Sequence, residues 1–160
     1  MFIKRQVSGL KPETTYDLTF DITLENHIPP KEMGIGGSPG ESVFFKVGAA
    51  AQEPQKMNEQ GFYYLNVDKG EQSQGGEHAL VIGNLANPLV NPDDPQFQPK
   101  SLTNEGNPLK VTTDSQGCVW LFVGTDSGFE GPTLYYIAQI AVDARETFED
   151  SKISQLPIKD

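Results

Sequence analysis

Long apolar runs are the first thing this chain lacks. No stretch approaches the roughly 18 to 20 apolar residues a membrane-spanning helix needs, and residues 1–7 have none of the apolar segment of a signal peptide. Cationic residues are scarce too: 12 Lys and Arg stand against 22 Asp and Glu, for a net charge of −10. No basic cluster occurs, so nucleic acid and anionic membrane surfaces are poor partners. The single cysteine, Cys118, has no second thiol to pair with in the chain. Lying beside the apolar run 119–123, it reads as a small, partly buried hydrophobe. His27 and His78 are isolated from any Cys, His or carboxylate at metal-ligand spacing, which argues against a zinc site. Helical periodicity is also missing over any long stretch.

What remains is 160 residues with 16 Gly and 12 Pro. That length suits one domain burying roughly two-thirds of the surface its unfolded form exposes. We expect a single domain over residues 1–143 and a tail over 144–160, with one helical turn within 147–154. Acidity with abundant Gly, Pro, Asn, Gln, Ser and Thr is the composition of exported β-proteins. The chain is therefore expected to be exported, as a periplasmic, outer-membrane lipoprotein or secreted protein, with its signal sequence absent from this chain.

Residues 15–24 alternate strictly: Tyr16, Leu18, Phe20, Ile22 and Leu24 on one face, Thr15, Asp17, Thr19, Asp21 and Thr23 on the other. A period of two predicts a half-buried antiparallel strand, with Leu10 and Tyr16 closing one end of the core. Further strands are expected at 42–48, 62–67, 78–83, 109–113, 119–123 and 134–142. The polar stretch 68–77 reads as a long hairpin connection. The stretch 119–137 reads as a closing hairpin, with Trp120 assigned to the core. Residues 84–107 carry repeated Asn-Pro, Asp-Pro and Gln-Pro steps, which forbid helix and central strand alike and predict a long Pro-rich loop. Seven or more strands without a long amphipathic helix predict an all-β fold, a jelly-roll β-sandwich of two antiparallel sheets.

Chemistry-bearing residues are few. Residues 36–40, Gly-Gly-Ser-Pro-Gly, match the spacing of a nucleophile elbow, but an oxyanion hole needs the N–H of the residue after the serine. That residue is Pro39, so the segment reads as a structural glycine loop. Asp126, Ser127 and Glu130 gather oxygen ligands at one turn, and Ca²⁺ is the cofactor such a set of ligands would take. The alternative is that Asp126 and Ser127 cap the turn while glycines shape it. Tyr63, Tyr64, Tyr135 and Tyr136 stand in adjacent pairs on predicted strands, so one of each pair should point outward, where sugar rings stack.

The segment 9–16, Gly-Leu-Lys-Pro-Glu-Thr-Thr-Tyr, entering an alternating strand, with 134–142 as a final strand, resembles galactose-binding-like jelly-roll modules of the carbohydrate-binding kind. Residues 34–42 together with 123–131 resemble a family of uncharacterised bacterial exported proteins or lipoproteins. The first resemblance implies a carbohydrate ligand; the second brings no known activity. Where jelly-roll modules commonly carry an Asp pair on the last strand, this chain has Ala138-Gln139. An N-terminal strand of the family is either missing or replaced by residues 1–7.

These readings converge on a non-catalytic extracytoplasmic binding module for carbohydrate or another small polar ligand. Its candidate residues are Tyr63, Tyr64, Tyr135, Tyr136 and Glu130, and its candidate loops 34–40, 84–107 and 124–131. The alternatives are a hydrolase or lyase working through carboxylates such as Asp126 and Glu130, and a self-associating component of the cell envelope. The oligomeric state is not readable from the residues.

Overall fold

The computed structural model describes residues 1–147. Among them are ten strands and no helix: β1 (Phe2–Val7), β2 (Thr15–Asn26), β3 (Val43–Ala50), β4 (Lys56–Glu59), β5 (Phe62–Leu65), β6 (Ala79–Asn84), β7 (Gln98–Thr103), β8 (Leu109–Thr112), β9 (Val119–Ser127) and β10 (Tyr135–Glu146). One sheet runs in the order β1-β9-β3-β6, and the second β10-β2-β7, with β8 also on β2. Every pairing is antiparallel. The expected β-sandwich is therefore the fold. No helix among the described residues is long and apolar enough to cross a membrane.

The core forms where the alternating apolar faces meet. Leu18, Phe20, Ile22 and Leu24 of β2 pack with Val43, Phe45 and Val47 of β3 and Val119 and Val123 of β9. The polar face of β2 stays at least partly accessible, as its period of two requires. Tyr16 is buried, and its hydroxyl accepts a hydrogen bond from the Lys11 N–H at 3.0 Å, which ties the turn before β2 to the end of the core.

One strand position opposite β2 is split. Residues 21–26 of β2 pair with β7 and residues 15–18 with β8. Asn104 fills the gap between them. Its Oδ1 accepts the Phe20 N–H at 2.6 Å, and its Nδ2 donates to the Leu18 carbonyl at 2.9 Å, so one buried amide side chain stands in for missing ladder bonds.

Several expectations need correction. The stretch 119–137 is not a hairpin: β9 pairs with β1 and β3, while β10 pairs with β2 in the opposite sheet. Two apolar strands with a turn between them look alike whether they pair or cross. The connection at 68–77 is not a hairpin loop either, since β5 pairs with β4 and β6 with β3. Within the Pro-rich stretch lies β7, which accommodates Pro99 because it is an edge strand. The rest of that stretch is organised by Asn87, whose amide donates to the Gln98 and Pro99 carbonyls at 3.0 and 3.3 Å. Residues 2–7 form β1, and β10 runs past Val142 to Glu146. The helical turn expected over 147–154 lies, apart from Thr147, outside the described residues.

Candidate functional site

The outer face of the first sheet carries a second, smaller core. Alternation puts Phe44, Lys46, Gly48 and Ala50 of β3, and Trp120, Phe122, Gly124 and Asp126 of β9, on the side away from the main core. Phe122 is buried there with Ala50, Val67 and Ala79, and Phe2 and Leu65 pack alongside. Gly48 is required by this packing, because a Cβ at that position would overlap the Phe122 ring. The β4–β5 hairpin and the segment 66–78 supply the cover. Trp120 thus lies half-buried on the outer face with Lys4 5.5 Å from its ring centroid, and not in the main core as its size suggested.

Lys46 decides the shape of this region. It interrupts a strand whose other residues are nearly all buried, and it is itself buried. Its three ammonium donors are all used: the carbonyls of Lys69 and Gln74 at 2.9 Å each, and Asp126 Oδ2 at 3.2 Å. The same carboxylate oxygen accepts from Lys69 Nζ at 2.6 Å and from the Gln72 N–H at 2.9 Å. One ammonium and one carboxylate thereby pin the segment 69–74 against the sheet. Burial pushes the Lys46 ammonium below its ordinary pKa, more than the bond to Asp126 restores. For Asp126 burial pushes upward, but the bonds from Lys69, Gln72 and Lys46 together hold it below the usual carboxylate range.

Beside this clamp lies a hollow of about 330 Å³, bordered by Lys46, Lys56, Lys69, Tyr63, Tyr64 and Asp126. Its size is at the lower end of ligand sites. On the β4–β5 arm Lys56 stands opposite Leu65 and Met57 opposite Tyr64, so Tyr63 shares the face of Lys56 and Leu65 while Tyr64 turns to the other; on this lone two-stranded sheet the rings are 62% and 49% exposed. Lys56 Nζ sits 4.4 Å from the Tyr63 ring centroid, within cation–π range. Among the described residues Lys56 makes no ion pair.

Two larger hollows have less chemistry. One, of about 610 Å³, lies where the sandwich is open between the free edges of β1 and β10, with Ile3, Val7, Leu121, Ile140 and Val142 on its walls. The other, of about 630 Å³, is an acidic dish around Asp17, Asp21, Glu105 and Asp143 on the outer face of the second sheet.

The sequence candidates scatter. Tyr135 points into the sandwich, edge-on to Phe45 at 6.1 Å, with its hydroxyl 3.4 Å from Thr125 Oγ1. Tyr136 is the outward member of that pair, 56% exposed and 5.3 Å from Phe97, in a different sheet from the tyrosines of β5. Asp126, Ser127 and Glu130 do not converge. Asp126 faces the two lysines, so a cation there would have to displace ammonium groups. Ser127 Oγ donates to the Phe129 carbonyl and accepts its N–H, closing its own turn. Glu130 lies on the surface, its N–H donating to the Ile35 carbonyl at 2.8 Å. No group of three His, Cys, Asp or Glu suited to a metal occurs among the described residues. A carboxyl held low and paired with ammonium groups, like Asp126, is also poorly placed to donate a proton.

The glycine loop 34–40 and the turn 128–131 are neighbours. Phe129 lies over both Gly34 and Gly131, and a Cβ at either would overlap its ring. Gly128 N–H donates to the Ser42 carbonyl at 2.8 Å, so the two segments form one structural corner. Ser38 caps that corner, bonding the Glu41 carboxylate and the N–H groups of Gly40 and Glu41.

Sequence reasoning missed the three lysines. The available signal was Lys46, a cation at an otherwise apolar strand position in a chain poor in cations. No protein-family model, curated protein or solved structure matches this chain.

Proposed function

We propose that the chain is a non-catalytic extracytoplasmic binding module, of the kind its resemblance to exported jelly-roll proteins implies, and that it takes a carbohydrate or another small polar ligand. The site is the hollow between the β4–β5 arm and the first sheet. The observation that carries this reading is the exposed ring of Tyr63 beside the unpaired Lys56, both on the face of the arm that carries Leu65 and borders the hollow. Planar rings and a few polar groups in a hollow are what sugar recognition uses. Titration calorimetry against a panel of neutral and acidic oligosaccharides tests it. Binding that Tyr63→Ala weakens supports the site; a panel with no binder overturns the reading.

A second reading is favoured by the open side of the sandwich. Ile3 and Ile140 are 50% and 40% exposed beside the two unpaired strand edges of β1 and β10. Free edges beside apolar side chains invite pairing with another strand, which suits a self-associating envelope component. Light scattering over a concentration series tests this, with Ile140→Lys expected to abolish any oligomer. A monomer at every concentration would count against it.

A further inference from the structure

We infer that the ligand of the β4–β5 hollow is an acidic saccharide, a sugar ring carrying a carboxylate, and that Lys56 is the residue that reads its charge. The inference rests on the binding-module reading above and specifies what that module selects.

The argument begins with charge. The chain carries a net charge of −10, yet this hollow is bordered by three lysines and a single carboxylate. Two of the lysines have structural work. Lys46 spends its three donors on two carbonyls and Asp126, and Lys69 bonds Asp126 and the Gly70 carbonyl. Asp126 is in turn saturated at Oδ2 by Lys46, Lys69 and the Gln72 N–H. The clamp uses up the only carboxylate and leaves positive charge in excess. Of the three lysines that border the hollow, only Lys56 makes no hydrogen bond or ion pair to the described residues, resting on the Tyr63 ring at 4.4 Å.

Geometry then selects the ligand class. A bare inorganic anion has no use for the tyrosines, and a neutral sugar has none for an unneutralised ammonium. A pyranose ring with a carboxylate uses both: Tyr63, on the same face of the arm as Lys56, stacks the ring face, while Lys56 swings off that ring to meet the carboxylate. Lysine is a point charge without a bidentate fork, so it accepts a carboxylate in many orientations. The volume of about 330 Å³ limits the portion held to a small saccharide segment, so longer chains would bind by an internal unit or an end. Because the chain is acidic overall, an acidic ligand is repelled elsewhere on the surface, which confines its binding to this spot.

The test is calorimetric titration with a set of uronic-acid oligosaccharides and, for each, its methyl ester, which keeps the ring and removes the charge. Binding of an acid form roughly ten-fold tighter than its ester is expected, the gap closing as NaCl is raised towards 1 M. Lys56→Gln should reduce that preference to near unity, and Tyr63→Ala should weaken both forms. Equal affinity for acid and ester overturns this inference while leaving the binding module intact. Failure of every neutral and acidic saccharide to bind overturns both. A preference that survives in Lys56→Gln assigns the charge reading to another residue and refutes the role given to Lys56. Circular dichroism and thermal melts of each variant confirm that losses reflect binding, since Lys56 and Tyr63 lie on an exposed arm.

Discussion

Replacing Lys46 by Met tests the clamp that shapes the site. Met keeps most of the apolar stem and removes the ammonium, so the Lys69 and Gln74 carbonyls lose a partner at 2.9 Å each and Asp126 loses one of its two lysines. Hydrogen bonds to charged groups contribute about 1.5–3 kcal/mol each, but a buried ammonium also carries a desolvation penalty that the substitution removes. Asp126 remains paired with Lys69 at 2.6 Å, which keeps the loss below that of a fully orphaned charge. A net destabilisation of about 2–4 kcal/mol follows, read as a shift of the urea midpoint at constant slope. Asp126→Leu alone should cost about 2–3 kcal/mol, and the double variant should cost less than the sum by about 1 kcal/mol or more, since the partners share one bond network. Hydrogen exchange should report the loss locally, fastest in segment 69–74. Additive single effects, or a Lys46→Met protein as stable as the parent, would refute the claim that this pair anchors the segment.

Three further outcomes are expected. Asn104→Ala leaves the buried Phe20 N–H and Leu18 carbonyl without partners and should cost about 2–4 kcal/mol in urea unfolding; a cost under about 1 kcal/mol would mean that water replaces the amide. Asp126 is held below its unfolded pKa, so its contribution is complete above about pH 4 and disappears as pH falls through the lowered folded value. The stability difference between the parent and Asp126→Asn should accordingly shrink as the pH falls below about 4, and a difference that stays constant through the acid range would contradict the shift. Tyr135→Ala should cost about 2–3 kcal/mol by opening a gap beside Phe45, whereas Tyr63→Ala should change stability by no more than about 0.5 kcal/mol and act on binding alone.

The candidate site was legible only in part. Tyr63 and Tyr64 could be singled out because an adjacent aromatic pair on a strand must offer a ring to each side. Their partners Lys46, Lys56 and Lys69 come from three separate segments, and nothing in their spacing predicts that they meet. Asp126 stands out in the sequence as a turn carboxylate beside Ser127 and Glu130, whereas in the fold it belongs to β9 and meets two lysines. The turn that holds Ser127 and Glu130 sends their side chains elsewhere, while alternation along β9 aims Asp126 at the lysines.

Residue order by itself determined the all-β class and the face each strand would bury, because a period of two is a local property: Leu18 and Phe20 must lie on one side of a strand wherever that strand goes. It also marked the turns, where Gly, Pro, Asn and Asp shape the backbone through their own geometry. Which strands pair was decided only in three dimensions. The stretch 119–137 has the local pattern of a hairpin, yet β9 finds β1 and β3 while β10 crosses to β2, because burying the apolar faces of both sheets at once outweighs pairing with a neighbour in sequence. The hollow beneath the β4–β5 arm, with its excess of lysine charge in an acidic chain, is a product of those long-range pairings and has no counterpart in any single stretch of residues.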